Sequence, residues 1–182
     1  IWQKIVCAKI NNQAKCLEIN GLEDAKTLYT ISKSVMSGDS TNREGYAARL
    51  YFKLLFGNEF TREDETSINA ALNYGYAVLR SFIAKTIVAY GLEPSLGIHH
   101  KSQLNQFNLA DDIIEPYRPI IDNYVYKNYT EWGEKFFTPQ KAELQLLLNS
   151  AILIDNLSGK VLYEKNADEK LAPASMTKLG SL

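Results

Sequence analysis

The two histidines of the chain are adjacent, and acidic residues follow them closely. Segment 95–119 reads SLGIHHKSQLNQFNLADDIIEPYRP, in which His99 and His100 precede Asp112 and Glu115. Imidazole nitrogen together with carboxylate oxygen suits a divalent cation such as Mn²⁺ or Mg²⁺. We therefore predict metal-dependent chemistry on a nucleic acid at this segment. The alternative is an ordinary loop followed by a helix start, where the helix dipole favours acids.

A further acidic residue, Glu44, lies at the start of an apolar segment. Residues 41–44, TNRE, have the spacing of a capping box, and GYAARLYFKLLFG follows at 45–57. That segment is apolar almost all round, which predicts a buried helix. A carboxylate in a buried helix is costly unless it is paired or binds a cation.

Glu44, His100 and Glu115 are the three main candidates, and each has a structural explanation when it is taken alone. Glu44 fits the capping box, His100 fits a solvated loop, and Glu115 fits a surface pair with Arg118 three residues on. Only the three together favour a functional site.

Apolar residues recur with helical spacing through most of residues 1–149, so we predict a mainly α fold. Pro116 removes a backbone hydrogen bond and predicts a bend just after Glu115. The expected helices cover residues 1–19, 22–36, 41–56, 67–90, 109–126 and 140–148.

The pattern changes after residue 150. Two β-type runs, 151–155 and 160–164, flank NLSG at 156–159, which predicts a short β-hairpin. The segment 150–182 is too short to build a core of its own, so we expect it to pack poorly against the rest. The predicted domains are therefore 1–149 and 150–182.

Composition indicates a globular protein. The 182 residues are 46% hydrophobic and 23% charged, and the net charge is -1. Cys7 and Cys16 lie roughly 13 Å apart along one predicted helix, too far for a disulfide, so two free thiols indicate a reducing compartment. Because no apolar run reaches membrane length and no signal segment precedes, we predict a cytoplasmic protein without membrane contact. Ile1 opens the chain in mid-helix, so we expect an upstream part to be missing.

Residues 1–149 resemble the C-terminal helical domain of the CRISPR-associated spacer-acquisition integrases (the Cas-one family, type II branch). The matching segments are TNREGYAARLYFKLLFG at 41–57, LNYGYAVLRSFIAKTIVAYGLEPSLGIHH at 72–100 and QFNLADDIIEPYRPIIDNYV at 106–125. The resemblance implies an integrase-type helical bundle. It carries the family's metal ligands onto Glu44, His100 and Glu115, with His100 preferred over His99. Asp112 is expected to support the ligands or to accept a proton.

The resemblance implies a Mg²⁺- or Mn²⁺-dependent DNA endonuclease and integrase of CRISPR adaptation, a form of antiviral defence. A spacer 3′-hydroxyl would attack a phosphodiester of the CRISPR repeat, with the cation assisting. The implied partners are double-stranded DNA, a second copy of the chain and the Cas-two protein. Candidate phosphate contacts are Arg43, Arg49, Lys101 and Arg118, although each singly is better explained as a solvated charge.

One departure from the family bears on activity. The family's N-terminal β domain, which forms much of the homodimer, is absent from this sequence. We therefore expect dimerisation and integration to be impaired by truncation. The alternative is an inactive helical scaffold.

From about residue 150 the chain resembles the opening of the penicillin-binding D-alanyl-D-alanine carboxypeptidases. The segment LIDNLSGKVLYEKNADEKLAPASMTK at 153–178 ends in the Ser-x-x-Lys motif, with Ser175 as nucleophile and Lys178 as its activating partner. The SxN and KTG elements are absent, so we expect a vestigial motif in a chimeric chain. A serine carboxypeptidase is thus a further alternative, as a fragment only.

Overall fold

Helices make up most of the residues that the structure describes. The computed structural model describes residues 1–132 and 136–146, together with the backbone of 147–149, 153–154 and 161–163. The mainly α class predicted from the sequence is confirmed. The helices are α1 (Trp2–Ile19), α2 (Ala25–Lys33), α3 (Arg43–Phe56), α4 (Ser67–Ala89), α5 (Asn108–Ile113), α6 (Arg118–Trp132) and α7 (Thr138–Asn149), with 3₁₀ turns at Ser37–Asp39 and Glu115–Tyr117.

The chain divides into two compact units, residues 1–136 and residues 137–182. The second contains α7 and two short strands, β1 (Leu153–Ile154) and β2 (Val161–Tyr163), which pair antiparallel with Leu153 opposite Tyr163. The turn proposed at 156–159 lies outside the described residues. So do the vestigial motif residues Ser175 and Lys178, and the junction near residue 150 stays a prediction.

Helix α1 is the central element of the first unit. It contacts α2, α3, α5, α6 and the 3₁₀ turn Glu115–Tyr117. Val6, Ile10 and Leu17 recur at helical spacing on α1 and are fully buried. They pack in one core with α2 and α3, whose contributions include Leu28 and Tyr51. The apolar periodicity of the first nineteen residues therefore encodes the element that the rest of the unit surrounds.

The capping box predicted at 41–44 is wrong. Asn42 is the N-cap of α3: it adopts a left-handed conformation and its side-chain oxygen accepts from the N–H of Gly45 at 3.2 Å. The Asp39 carboxylate accepts from the N–H groups of Arg43 and Glu44 at 2.8 and 3.0 Å. Two side chains thus satisfy the first turn, and the carboxylate of Glu44 is left for another partner.

Helix α3 is also less buried than its composition predicts. Only Ala47, Tyr51 and Leu55 are buried, at spacings of four residues, while Tyr46 is 49% exposed. Because the buried residues form one stripe, α3 lies at the edge of the unit with one face toward α1.

Two other boundaries differ from the predictions in informative ways. The helix expected over 22–36 is limited to α2, because the chain enters it through Asp24 in a left-handed conformation. The bend predicted after Glu115 is a complete change of helix. Pro116 lies in the 3₁₀ turn between α5 and α6, and this turn sets the direction in which Glu115 points.

Both cysteines are free thiols, as predicted. Burial raises the pKa of the Cys16 thiol to about 12, so this thiol is unreactive in the folded chain. Among the helices in the described part of the chain, none combines the length and hydropathy that a membrane span needs.

We expect Ile10→Ala to destabilise the first unit by about 2–5 kcal/mol, because it leaves a cavity at a fully buried position of α1. Urea unfolding followed by circular dichroism measures this change. The matched control is Ile19→Ala on the same helix, where the side chain is 57% exposed and the loss should be small. Equal losses in the two variants would contradict a central position for α1.

Candidate functional site

A buried ammonium group joins two of the three predicted metal ligands. The Lys9 Nζ lies 2.6 Å from Glu44 Oε1 and 2.5 Å from Glu115 Oε2. The three side chains come from α1, α3 and the 3₁₀ turn after α5, and they are 12%, 23% and 7% exposed. The structure therefore brings Glu44 and Glu115 together, although 71 positions separate them (115 − 44).

A second cation completes the charge balance. Arg118 Nε lies 2.9 Å from the other oxygen of Glu115, and the guanidinium also covers the ring of Tyr76 at 4.5 Å. Burial opposes the charge of Lys9, but the carboxylates of Glu115 and Glu44 outweigh it and raise the pKa of the ammonium. Lys9 is therefore charged in the folded chain.

Asp112 has a different role from the other acids, because it organises the histidine loop. Its fully buried carboxylate accepts from the N–H groups of Ile98, His99 and His100 at 2.5, 2.9 and 3.2 Å. A Cβ on Gly97 would lie 2.1 Å from the carbonyl oxygen of His100, so this close turn requires glycine. Asp112 thus fixes the backbone on which both histidines stand.

The two histidines are held in different ways. His100 Nδ1 lies 2.7 Å from Asp112 Oδ1, whereas the His99 ring stacks on Trp2 with centroids 4.2 Å apart. A carboxylate on Nδ1 orients an imidazole and leaves Nε2 as its acceptor atom, the usual arrangement behind a metal-binding histidine. The geometry is therefore consistent with the preference for His100, which is 44% exposed.

The donor set fits a divalent cation in kind, since two carboxylates already meet at one positive charge. The full predicted ligand group is not assembled, however. Within the described residues no three histidine, cysteine or acidic side chains lie close enough to hold a metal ion. His100 is bound to Asp112, while Glu44 and Glu115 are bound to Lys9. The expectation that Glu44, His100 and Glu115 converge on one point is thus met for the two glutamates only.

The four basic residues predicted to contact DNA lie in different settings. Arg49 and Lys101 are exposed, and Arg43 is half-buried beside Glu44 at the start of α3. Arg118 is engaged with Glu115 and Tyr76. Solvent access therefore suits Arg49 and Lys101 best for a phosphate contact.

A cleft of about 180 Å³ opens beside Glu115. Its lining includes Lys9, Arg62, Arg118 and the buried pair Tyr76 and Asp122. The Tyr76 hydroxyl donates to the Asp122 carboxylate. Burial raises the pKa of Asp122 to about 6, although the hydrogen bond from Tyr76 and the charge of Arg118 oppose that shift.

Lys9 and Asp122 were not identified from the sequence. The signal for Lys9 is its place in α1, where Lys9 and Gln13 continue the helical spacing that begins at Ile5. A polar pair on an inward-facing row is a candidate for a buried site. Periodicity alone does not distinguish it from a solvated face.

Two family models match the chain. A model described as CRISPR associated protein Cas1 matches residues 1–154, and one described as D-alanyl-D-alanine carboxypeptidase matches residues 137–181. These findings agree with both resemblances read from the sequence.

Curated proteins and a solved structure are similar to the chain. The CRISPR-associated endonuclease Cas1 of Neisseria meningitidis serogroup C (strain 8013) is 52% identical over 132 residues, which cover 72% of this chain and 43% of that protein. A CRISPR-associated endonuclease Cas1 of Francisella tularensis subsp. novicida (strain U112) is 31% identical, covering 79% and 52%. The chain therefore spans about half the length of these relatives. A casposase bound to integration product has a similar fold, with a TM-score of 0.64 and 22% identity over 88% of this chain and 54% of that one.

We expect Asp112→Asn to loosen the histidine loop. The carboxylate accepts from Ile98 and His99 through one oxygen and from His100 through the other, and asparagine keeps only one of these oxygens. The N–H groups at the replaced oxygen lose their acceptor, at a cost of about 1–3 kcal/mol. Hydrogen exchange at these amides should accelerate. Asp24→Asn, at an exposed aspartate that precedes α2, is the control and should leave the exchange at Ile98–His100 unchanged. Unchanged protection in Asp112→Asn would contradict the clamp.

We expect Asp122 to make the first unit less stable as pH rises from about 4 to about 7. The unfolded carboxyl releases its proton near 3.8 and the folded one near 6, so between these values the folded state binds more protons. Asp122→Asn removes this dependence. Relative to the parent chain, its free energy of unfolding should rise by up to about 3 kcal/mol across that window. Parallel pH profiles from urea titrations would refute the shift.

Proposed function

This chain belongs to the Cas-one family, that of the CRISPR associated protein Cas1, and we propose that residues 1–149 carry a metal-dependent DNA endonuclease and integrase site. The proposed reaction is the exchange of one phosphodiester for another, in which a DNA 3′-hydroxyl attacks a phosphate of the CRISPR repeat. The endonuclease naming of the curated relatives and the fold shared with a casposase support it.

The observation that carries the proposal is the meeting of Glu44 and Glu115 at one cation. Two carboxylates from distant parts of the chain are held around the Lys9 ammonium at 2.6 and 2.5 Å. A purely structural role requires only one carboxylate for one ammonium. Here two carboxylates from different elements contact the same ammonium, and a divalent cation in its place would have both of them as ligands.

Glu44 and Glu115 would hold Mg²⁺ or Mn²⁺, with the Nε2 of His100 as the nitrogen ligand. When bound, the cation supplies polarisation of the phosphodiester and stabilisation of the leaving oxygen. Asp112 contributes by fixing the His100 ring through Nδ1, because a ligand held in one orientation loses less freedom on binding. Asp112 has no exposed surface, so we assign it to positioning rather than to proton transfer.

Double-stranded DNA is the proposed substrate, both as spacer precursor and as CRISPR repeat. Arg49 and Lys101 are exposed and Arg43 adjoins Glu44 in the first turn of α3, so these three side chains are the proposed phosphate contacts. Arg118 would act through Glu115, to which it is bound. The partners of the whole protein are proposed to be a second copy of the chain and the Cas-two protein, in the cytoplasm.

A specific observation favours a second candidate, an inactive helical scaffold. Lys9 and Arg118 already balance the charges of the two carboxylates, and among the described residues no three histidine, cysteine or acidic side chains lie close enough to hold a metal ion. In a scaffold this charge cluster would serve only to hold α1, α3 and the turn after α5 together. The metal-dependent site requires a divalent cation for DNA nicking, whereas the scaffold does not nick DNA with or without one.

The test is nicking of a branched DNA duplex by the full chain with MnCl₂ or MgCl₂. We expect activity that a chelator abolishes. Glu44→Gln and His100→Ala should each lower the rate by about 100-fold, because each removes a ligand. Glu59→Gln is the control, at an exposed glutamate in the loop after α3, and should keep full activity.

The outcomes separate the candidates. Nicking that resists chelation, or that persists in Glu44→Gln and His100→Ala, would reject the metal site. A folded chain without nicking under any divalent cation would leave the scaffold as the function.

A further inference from the structure

The Lys9 ammonium touches two of the three candidate metal ligands, Glu44 and Glu115. We propose that the Lys9 ammonium is a resident counterion that competes with the divalent cation, so that it must leave Glu44 and Glu115 when the cation binds. This inference rests on the proposed metal-dependent function. It assigns Lys9 a role in setting how tightly the site holds its metal.

The oxygen atoms available to a cation carry the first step. Glu115 has both carboxylate oxygens occupied, since Oε2 lies 2.5 Å from Lys9 Nζ and Oε1 lies 2.9 Å from Arg118 Nε. A metal ion binds carboxylate oxygen at about 2.0–2.6 Å, a distance similar to the one that the ammonium now occupies. Glu115 is only 7% exposed and a cationic side chain lies at each of its oxygens, so a metal ion bound there would take the position of Lys9 or of Arg118.

The contact with Glu44 decides whether Lys9 or Arg118 is displaced. Lys9 is bound to Glu44 as well, at 2.6 Å, whereas Arg118 is bound to Glu115 and covers the ring of Tyr76. A cation that bridges both glutamates occupies the place of Lys9 and leaves the Arg118 pair intact. The displaced group is thus Lys9.

Charge gives the same result. The cluster contains two cations, Lys9 and Arg118, and two anions, Glu44 and Glu115, so it is formally neutral. Adding a divalent cation while Lys9 remains would place two further positive charges in a site where Glu115 is only 7% exposed. Release of the ammonium removes the positive charge of Lys9 from the cluster and ends the repulsion between Nζ and the metal.

The structure offers the released side chain a destination. Lys9 lines the cleft of about 180 Å³ that also contains Asp122. Because the Lys9 ammonium is carried on a flexible stem of four carbons, it can turn into this cleft while α1 stays in place. Displacement therefore needs a change of side-chain rotamer and no change of fold.

The experiment measures MnCl₂ binding to the full chain by titration calorimetry. Lys9→Met should bind Mn²⁺ about tenfold more tightly than the parent chain, a difference of about 1.4 kcal/mol. The matched control is Lys15→Met on the same helix, at an exposed position, and it should bind as the parent does. Equal or weaker binding by Lys9→Met, in a parent that binds Mn²⁺, would overturn the competition and leave the proposed function standing.

A second measurement on the parent chain covers the case in which Lys9→Met does not fold. Acetylation by an activated acetate ester, read by mass spectrometry, should rise several-fold at Lys9 when MnCl₂ is added and stay constant at Lys15. Constant protection of Lys9 with Mn²⁺ bound would overturn the inference. Absence of Mn²⁺ binding in parent and Lys9→Met alike would overturn both proposals. Binding by Lys9→Met alone would support the competition and reject metal-dependent activity in the parent.

Discussion

The burial of one ammonium group between two carboxylates constrains the whole first unit. Lys9 on α1, Glu44 on α3 and Glu115 in the 3₁₀ turn have little access to solvent, so the Lys9 ammonium depends on these two carboxylates for compensation of its charge. Removing one partner from a buried pair costs about 3–5 kcal/mol, because an uncompensated charge stays behind. The positions of α3 and of the turn before α6 are therefore linked to a single residue of α1.

Helix α1 also links this cluster to the histidine loop. Trp2 stacks on His99, and Lys9 binds the glutamates seven residues later. Seven residues are nearly two helical turns, or about 10 Å of rise, so the two contacts lie along the same side of the helix. The loop itself is built around the carboxylate of Asp112. Helix α1 thus holds the glutamate cluster around Lys9 and the histidine loop around Asp112 at a defined spacing.

Local patterns were sufficient for the helices but not for the contacts between them. Apolar spacing predicts α1 and α4 closely, and Pro116 predicts the break before α6, because these features depend on neighbouring residues. The capping box at Thr41 was wrong because Asp39 and Asn42, on either side of Thr41, accept the hydrogen bonds from the first N–H groups of α3. The proximity of Glu44 and Glu115 came from family resemblance, since no periodicity relates residues so far apart. Lys9 was missed because a charged residue within a helical pattern has the same signature whether it faces water or a carboxylate.

The distribution of polar groups around α1 explains the position of the cluster formed by Lys9, Glu44 and Glu115. One side of the helix packs through Val6, Ile10 and Leu17 into an apolar core with α2 and α3. The side of α1 that carries Lys9 and Asn12 makes polar contacts instead. Lys9 binds Glu115, and the Asn12 amide donates to the carbonyl of Pro116 at 2.7 Å. Buried polar groups stabilise a fold less than apolar packing does, so a unit that needed only stability would close this side with aliphatic residues. The interior charges at the meeting of α1, α3 and the Pro116 turn therefore support the proposal of chemistry there, and the opposite apolar side supplies stability that the charged side does not.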